Sequence, residues 1–199
     1  MRYICTPLKD NDINSLKAGE EVSLSGIIYT ARDQAHKRLT DAISLGRKLP
    51  IDLSRQIIYY CGPTQTPKGK IIGSCGPTTS SRMDGFTPLL IKSGLKGMIG
   101  KGARSDEVIA AIKKYKAVYF ITYAGCGALL SKYVKNKKLV CFPELGPEAV
   151  YQLEVEDFPL IVAVDSRGKS LTNDQRPTTK TRYQKGAKWR VKMAGRRIN

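Results

Sequence analysis

Short β-rich runs that alternate with helix-period segments predict an α/β fold, and three stretches carry that expectation. Residues 21–30 (EVSLSGIIYT) alternate apolar and polar side chains and favour β-branched types, so they read as a strand. Residues 105–116 (SDEVIAAIKKYK) read as a helix capped by Ser105, with acids in the first turn and lysines in the last. Residues 117–122 (AVYFIT) form an apolar run of a length suited to a buried strand. Strands alternating with helices argue against an all-β or all-α arrangement.

The remaining elements follow in order. Thr30 is expected to cap a helix with Asp33 in its first turn and Ala35, Leu39, Ala42 and Ile43 on one face, ended by Gly46 and Pro50. Residues 56–61 (QIIYYC) read as a second strand stopped by Gly62-Pro63. Residues 80–95 are expected to be helical in their middle despite Pro88, and residues 96–102 to form a short strand ending in a Gly-flanked lysine. Then come a helix over 124–134, a strand over 138–142, a helix over 147–153 and a final buried strand over 159–165 (PLIVAVD).

The chain has 199 residues, room for one core, which divides it into a domain over 1–171 and a tail over 172–199. No apolar run approaches the roughly 18 residues that a membrane span requires. The first residues lack a signal-peptide pattern, so a cytoplasmic location is the expectation. Five cysteines, odd in number and without a CxxC pair, read as reduced thiols, and a single histidine argues against a self-contained zinc site. No metal is expected on this chain.

The formal net charge is +17. Nine Lys or Arg and one Asp fall within 172–199, a segment with little apolar periodicity that reads as an extended or disordered basic tail. The body is still basic, which suits small anions as well as polyanions. A nucleic-acid-binding protein is therefore a competing reading. The body, however, has neither the aromatic-interleaved basic strands of RNA-binding sheets nor a helix-turn-helix signature. Contact with nucleic acid is expected to be non-specific and to come from the tail.

Three constellations could carry chemistry. In Gly76-Pro77-Thr78-Thr79-Ser80-Ser81-Arg82-Met83-Asp84 a Gly-Pro turn delivers hydroxyl residues to an expected helix start, where free N–H groups favour an anion. Thr78 and Arg82 are four apart, and Arg offers a planar fork for a carboxylate. The plainer alternative is a capped helix with a solvated arginine. In Arg32-Asp33-Gln34-Ala35-His36-Lys37-Arg38, Arg32 and His36 form an i,i+4 pair with Asp33 and Lys37 alongside; His36 could equally be structural. In Gly100-Lys101-Gly102 the absent side chains let a ligand approach, or Lys101 is a surface lysine.

Taken in order, ARDQAHKRL, YYCGPTQTPKGK, GSCGPTTSSRMD, GMIGKG and ELGPEAVYQLEVEDFPLIVAVDSRG resemble the β-type catalytic domain of class I fumarases and L(+)-tartrate dehydratases, over residues 20–168. That resemblance implies a swivelling β/β/α domain and a reversible hydration, of fumarate to malate or in the tartrate direction. It implies a four-iron four-sulfur cluster held by a separate α subunit, with a dimer of αβ pairs as the assembly. It also implies Thr78 as the base, Arg32, Arg82 and Lys101 as holders of the substrate carboxylates, and supporting roles for Asp33 and His36. The tail has no counterpart in the resemblance. The cation set would serve fumarate or tartrate.

Overall fold

Residues 57–60 show how the sheet comes to be buried on both faces. Ile57 and Tyr59 enter one core while Ile58 and Tyr60 enter another, as the period-two geometry of a strand requires. The computed structural model describes residues 1–171, so the basic segment 172–199 lies outside the described residues.

Strands β1 (Arg2–Cys5), β2 (Glu21–Thr30), β3 (Ile57–Tyr59), β4 (Gly97–Gly100) and β5 (Val118–Ile121) lie parallel, in that order. Strand β7 (Val150–Val164) runs antiparallel to β5 and, through its earlier residues, to β2; β6 (Val134–Cys141) pairs along its outer side. Because β7 joins both β2 and β5, these strands close a circuit of hydrogen bonds around one core. There Leu24, Ile28, Tyr59 and Phe120 meet Leu153, Val155 and Phe158. Burying each such side chain stabilises the fold by about 1.5–3 kcal/mol.

The second core lies under helices α2 (Asp33–Ser44), α3 (Thr87–Lys92) and α4 (Asp106–Tyr115), through Ala35, Leu39, Leu90, Ile91, Val108 and Ile112. Short helices α1 (Asp10–Ser15) and α5 (Gly127–Leu130) complete the set. Helix α4 is built as its residues dictate. Ser105 Oγ accepts from Val108 N–H at 3.4 Å, acids open the helix, and Lys113 and Lys114 close it. On β6, exposed Lys135 and Lys138 discourage pairing by a further strand.

Three expectations need correction. A strand, β1, precedes everything expected. The anticipated helix over 147–153 is instead a 3-10 turn, Pro143–Glu148, running into β7; Leu153 and Val155 alternate with Glu154 and Glu156, a strand period that the acids disguise. Residues 80–95 are helical in their middle as expected: a 3-10 turn (Ser80–Met83) precedes α3, whose Pro88 sits in the first turn, where a missing N–H costs little. Thr30 does not cap α2. It ends β2, donating to the Ala149 carbonyl at 3.4 Å and accepting from Tyr151 N–H at 3.0 Å.

Candidate active site

Parallel strands aim their carboxyl ends at one edge of a sheet, the usual place for a ligand crevice. The loops leaving β2, β3 and β4 lie side by side there because the strands are neighbours. Arg32 leaves β2 and Lys101 leaves β4 directly. Thr78 is brought to the end of β3 from further along the chain: its N–H donates to the Tyr60 carbonyl at 2.6 Å. Its own carbonyl accepts from Lys101 N–H at 3.3 Å, and Ser80 N–H donates to the Lys101 carbonyl at 2.9 Å. The segment is thus stitched alongside the end of β4, with Thr79 and Lys101 forming an isolated parallel bridge.

This stitching changes what the hydroxyl-rich motif offers. The N–H groups of Thr78 and Ser80 are spent on protein carbonyls, and the turn that follows is only four residues long. Two of the N–H groups expected to face an anion are therefore taken. Gly100 likewise serves the segment rather than a ligand: a Cβ there would stand 2.0 Å from Ser80 Oγ. Gly102, at φ +81°, is needed for its turn.

Arg82 and Arg32 converge through Asp33. Arg82 Nε and Nη2 donate to Asp33 Oδ1 and Oδ2 at 3.0 and 2.6 Å, so the fork expected to meet a carboxylate is engaged by one from α2. The Arg82 side chain is 47% exposed, and an exposed pair of this kind contributes about 0.2–1 kcal/mol. Its effect is on the direction of the guanidinium, not on the fold. Arg32 Nε stands 4.0 Å from Asp33 Oδ2, and its Nη2 lies 3.4 Å from Glu148 Oε1. Any side chain at residue 62 would collide with Arg32, so Gly62 lets this arginine lie across the loop after β3. The buried Arg32 Nε has no hydrogen-bond partner among the described residues. Lys101 is half-buried and forms no ion pair among them.

The expected side-by-side pairs in this helix are not formed. Lys37 meets Asp41 at 3.3 Å instead of Asp33. His36 turns inward, fully buried, and its Nδ1–H donates to the Arg32 backbone carbonyl at 2.9 Å. Its ring packs edge-on to Tyr60 with centroids 5.1 Å apart, leaving Nε2 unpaired. Burial first of all pushes its pKa down to about 4, with the Arg32 carbonyl hydrogen bond acting in the opposite direction. The unfolded chain therefore binds more protons below the ordinary histidine value, and stability falls as pH drops from about 6.5 towards 4. Thermal unfolding over that range should show this slope, and His36→Gln should flatten it; an undiminished slope would remove His36 as its cause.

Glu148 was not singled out in the sequence. It accepts from Gln34 N–H at 3.1 Å while pairing with Arg32, so it secures the start of α2 and the arginine together. Only its neighbourhood in the ELGPEAV stretch pointed to it. Of the three cations only Arg82 is nearly half exposed, and clefts of about 420 and 710 Å³ lie elsewhere, one against Ile72 and Ala128, the other against Arg38 and Leu45. The thiols do not fit an iron–sulfur cluster. Cys61 and Cys75 are buried, and burial raises both pKa values, that of Cys75 to about 12, whereas a metal needs thiolate. Among the described residues no three His, Cys, Asp or Glu side chains converge so as to hold a metal ion.

The site thus defines an α/β domain in which Arg32 and Arg82 share Asp33 and the Thr78 segment is bound to Lys101 at neighbouring strand ends. The chain matches the fumarase C-terminus model over residues 4–175 and belongs to that family. It is 42% identical over 177 residues to a Methanocaldococcus jannaschii protein provisionally named an L(+)-tartrate dehydratase subunit beta, covering 86% of this chain and 91% of that one. It is 35% identical over 175 residues to the L(+)-tartrate dehydratase subunit beta of Escherichia coli, covering 85% and 86%. The anaerobic class I fumarate hydratase of E. coli is 39% identical over 166 residues, but the chain spans only 30% of its length. No helix among the described residues is long and apolar enough to cross a membrane.

Proposed function

We propose that this chain is the β subunit of a fumarate hydratase that interconverts fumarate and malate, active only beside a cluster-bearing α subunit. The observation that carries the reading is that Arg32 and Arg82 share Asp33 while the Thr78 segment is bound to Lys101, at three adjacent strand ends, in a member of the fumarase C-terminus family. Domain 1–171 is the catalytic unit, swivelling against its partner, and pairs of subunits assemble two by two. The four-iron four-sulfur cluster belongs to the α subunit, since the thiols here do not fit one.

The chemistry assigned to this chain is electrostatic and basic. Arg82, directed by Asp33, and Arg32, directed by Glu148, meet the carboxylates of a four-carbon diacid, and Lys101 adds a charge that no carboxylate among the described residues neutralises. Concentrated positive charge stabilises the negative charge that develops on a carboxylate when the carbon beside it loses a proton. Thr78 Oγ takes that proton. The reading as an L(+)-tartrate dehydratase subunit is the second one, favoured by the two relatives whose length this chain nearly spans. Turnover of malate against L(+)-tartrate by one preparation decides between them.

The arginines provide the test. Lysine keeps the charge but not the fork, so Arg82→Lys and Arg32→Lys should each remove about 2–4 kcal/mol of transition-state stabilisation, roughly 30- to 1,000-fold in kcat/KM. Near-unchanged kinetics for both variants in the assembled enzyme would count decisively against the proposed carboxylate clamp.

A further inference from the structure

Behind the three loops lies a buried charge that the sequence did not single out. The Arg104 side chain is wholly buried, with its guanidinium carbon 5.2 and 5.0 Å from the centroids of the Tyr60 and Tyr119 rings. Its Nε donates to Asp84 Oδ1 at 2.7 Å, Nη1 to the Tyr60 hydroxyl at 3.1 Å and Nη2 to Thr87 Oγ1 at 2.7 Å. Asp84 Oδ2 accepts from Ser105 N–H at 2.8 Å, so the turn after Arg82 is tied to the residue before α4. The Tyr119 hydroxyl donates to the Gly102 carbonyl and accepts from Ser80 Oγ, both at 2.8 Å.

Three of these groups, Asp84, Gly102 and Ser80, are one or two residues from a proposed substrate contact. Asp84 follows Arg82, Gly102 follows Lys101, and Ser80 follows the Thr78-Thr79 pair. Beside the two backbone hydrogen bonds that already join them, one hydroxyl therefore braces the Thr78 segment against the turn after Lys101, and one guanidinium sets where the Arg82 turn stands relative to both. A buried ion pair is a poor way to gain stability, because desolvation offsets most of its attraction; its best use is to specify geometry. The network meets none of the clamp side chains directly, so it acts through backbone placement.

We propose that Arg104 and Tyr119 are positioning residues that fix the spacing of Arg82 and Lys101 around Thr78, and so the length of dicarboxylate that the site accepts. The inference rests on the hydratase reading and adds to it a determinant of substrate length. Neither residue touches substrate. Loss of either loosens the spacing between cations while leaving all the cations present, so discrimination by chain length falls further than overall affinity.

The test is competitive inhibition of the assembled enzyme by malonate, succinate and glutarate, saturated diacids that differ only in length. In Tyr119→Phe, which keeps the ring over Arg104 and removes the hydroxyl, the ratio of succinate to glutarate inhibition constants should shift by about threefold or more towards unity, with a larger shift in Arg104→Lys. Ile112→Ala, a core truncation, serves as the destabilised reference and should leave the ratio unchanged. If Arg104→Lys does not fold, Tyr119→Phe decides alone. Ratios that stay fixed while melting temperatures fall would overturn the inference and leave the function standing. Absence of inhibition by any diacid in the unsubstituted enzyme would overturn both.

Discussion

Thr78→Val in the assembled enzyme is expected to lower kcat by about a hundredfold or more while KM changes little, the scale set by losing a general base. Valine keeps the branched shape and the stiff χ1 of threonine, so the packing of the segment persists. The hydrogen bonds that hold residue 78 run from its backbone N–H to Tyr60 and from Lys101 to its carbonyl, and a side-chain change spares both. What disappears is an Oγ that makes no hydrogen bond with the described residues and is therefore open to substrate. In water a threonine hydroxyl is a poor base. Beside Lys101 and the two arginines, and with solvent removed, its deprotonated form becomes accessible. Arg32, Arg82 and Lys101 still hold the diacid in the variant, so binding should survive. A variant with kcat intact and KM raised would make Thr78 a substrate anchor and move the base to the partner.

Much of this site was legible as sequence because its residues sit at fixed offsets from strand ends. Strand β2 was read to its observed limits, and β3 and β4 to within a few residues, so Arg32 and Lys101 fell at or beside strand ends. What the residues alone did not reveal was long-range. Asp33 pairs with Arg82 across 49 positions, and Glu148 reaches Arg32 from the far end of the chain. The TTSS stretch does open a short 3-10 turn, but the carbonyls of Tyr60 and Lys101 claim the N–H groups of Thr78 and Ser80, which the sequence reading left free. Strand β7 was misread in its first half because Glu154, Glu156 and Asp157 interrupt an apolar pattern that continues on the buried face. His36 was read as the i,i+4 neighbour of Arg32, but its ring turns into the core and bonds the Arg32 carbonyl, because period alone does not say which way a ring turns.

The second large effect is dependence on the partner. Within the cation set Arg82 is nearly half exposed, and charges in bulk water attract with only about 1 kcal/mol at 4 Å. An exposed clamp of that strength binds a diacid poorly and activates a hydroxyl hardly at all. Covering the face lowers the local dielectric and raises each of these interactions several-fold, which is what docking of a second subunit would do. The loss of turnover without the partner should therefore be complete at the detection limit, larger than for any single substitution. Titrating the partner into this chain should restore activity until the two are equimolar.

The most direct measurement is malate formation from fumarate by this chain alone, by the cluster-bearing partner alone, and by the two combined under anaerobic conditions. Turnover in the mixture and in neither component is the predicted result. Hydration of fumarate by this chain on its own, or by the partner at the full rate without it, would contradict the proposed division of labour.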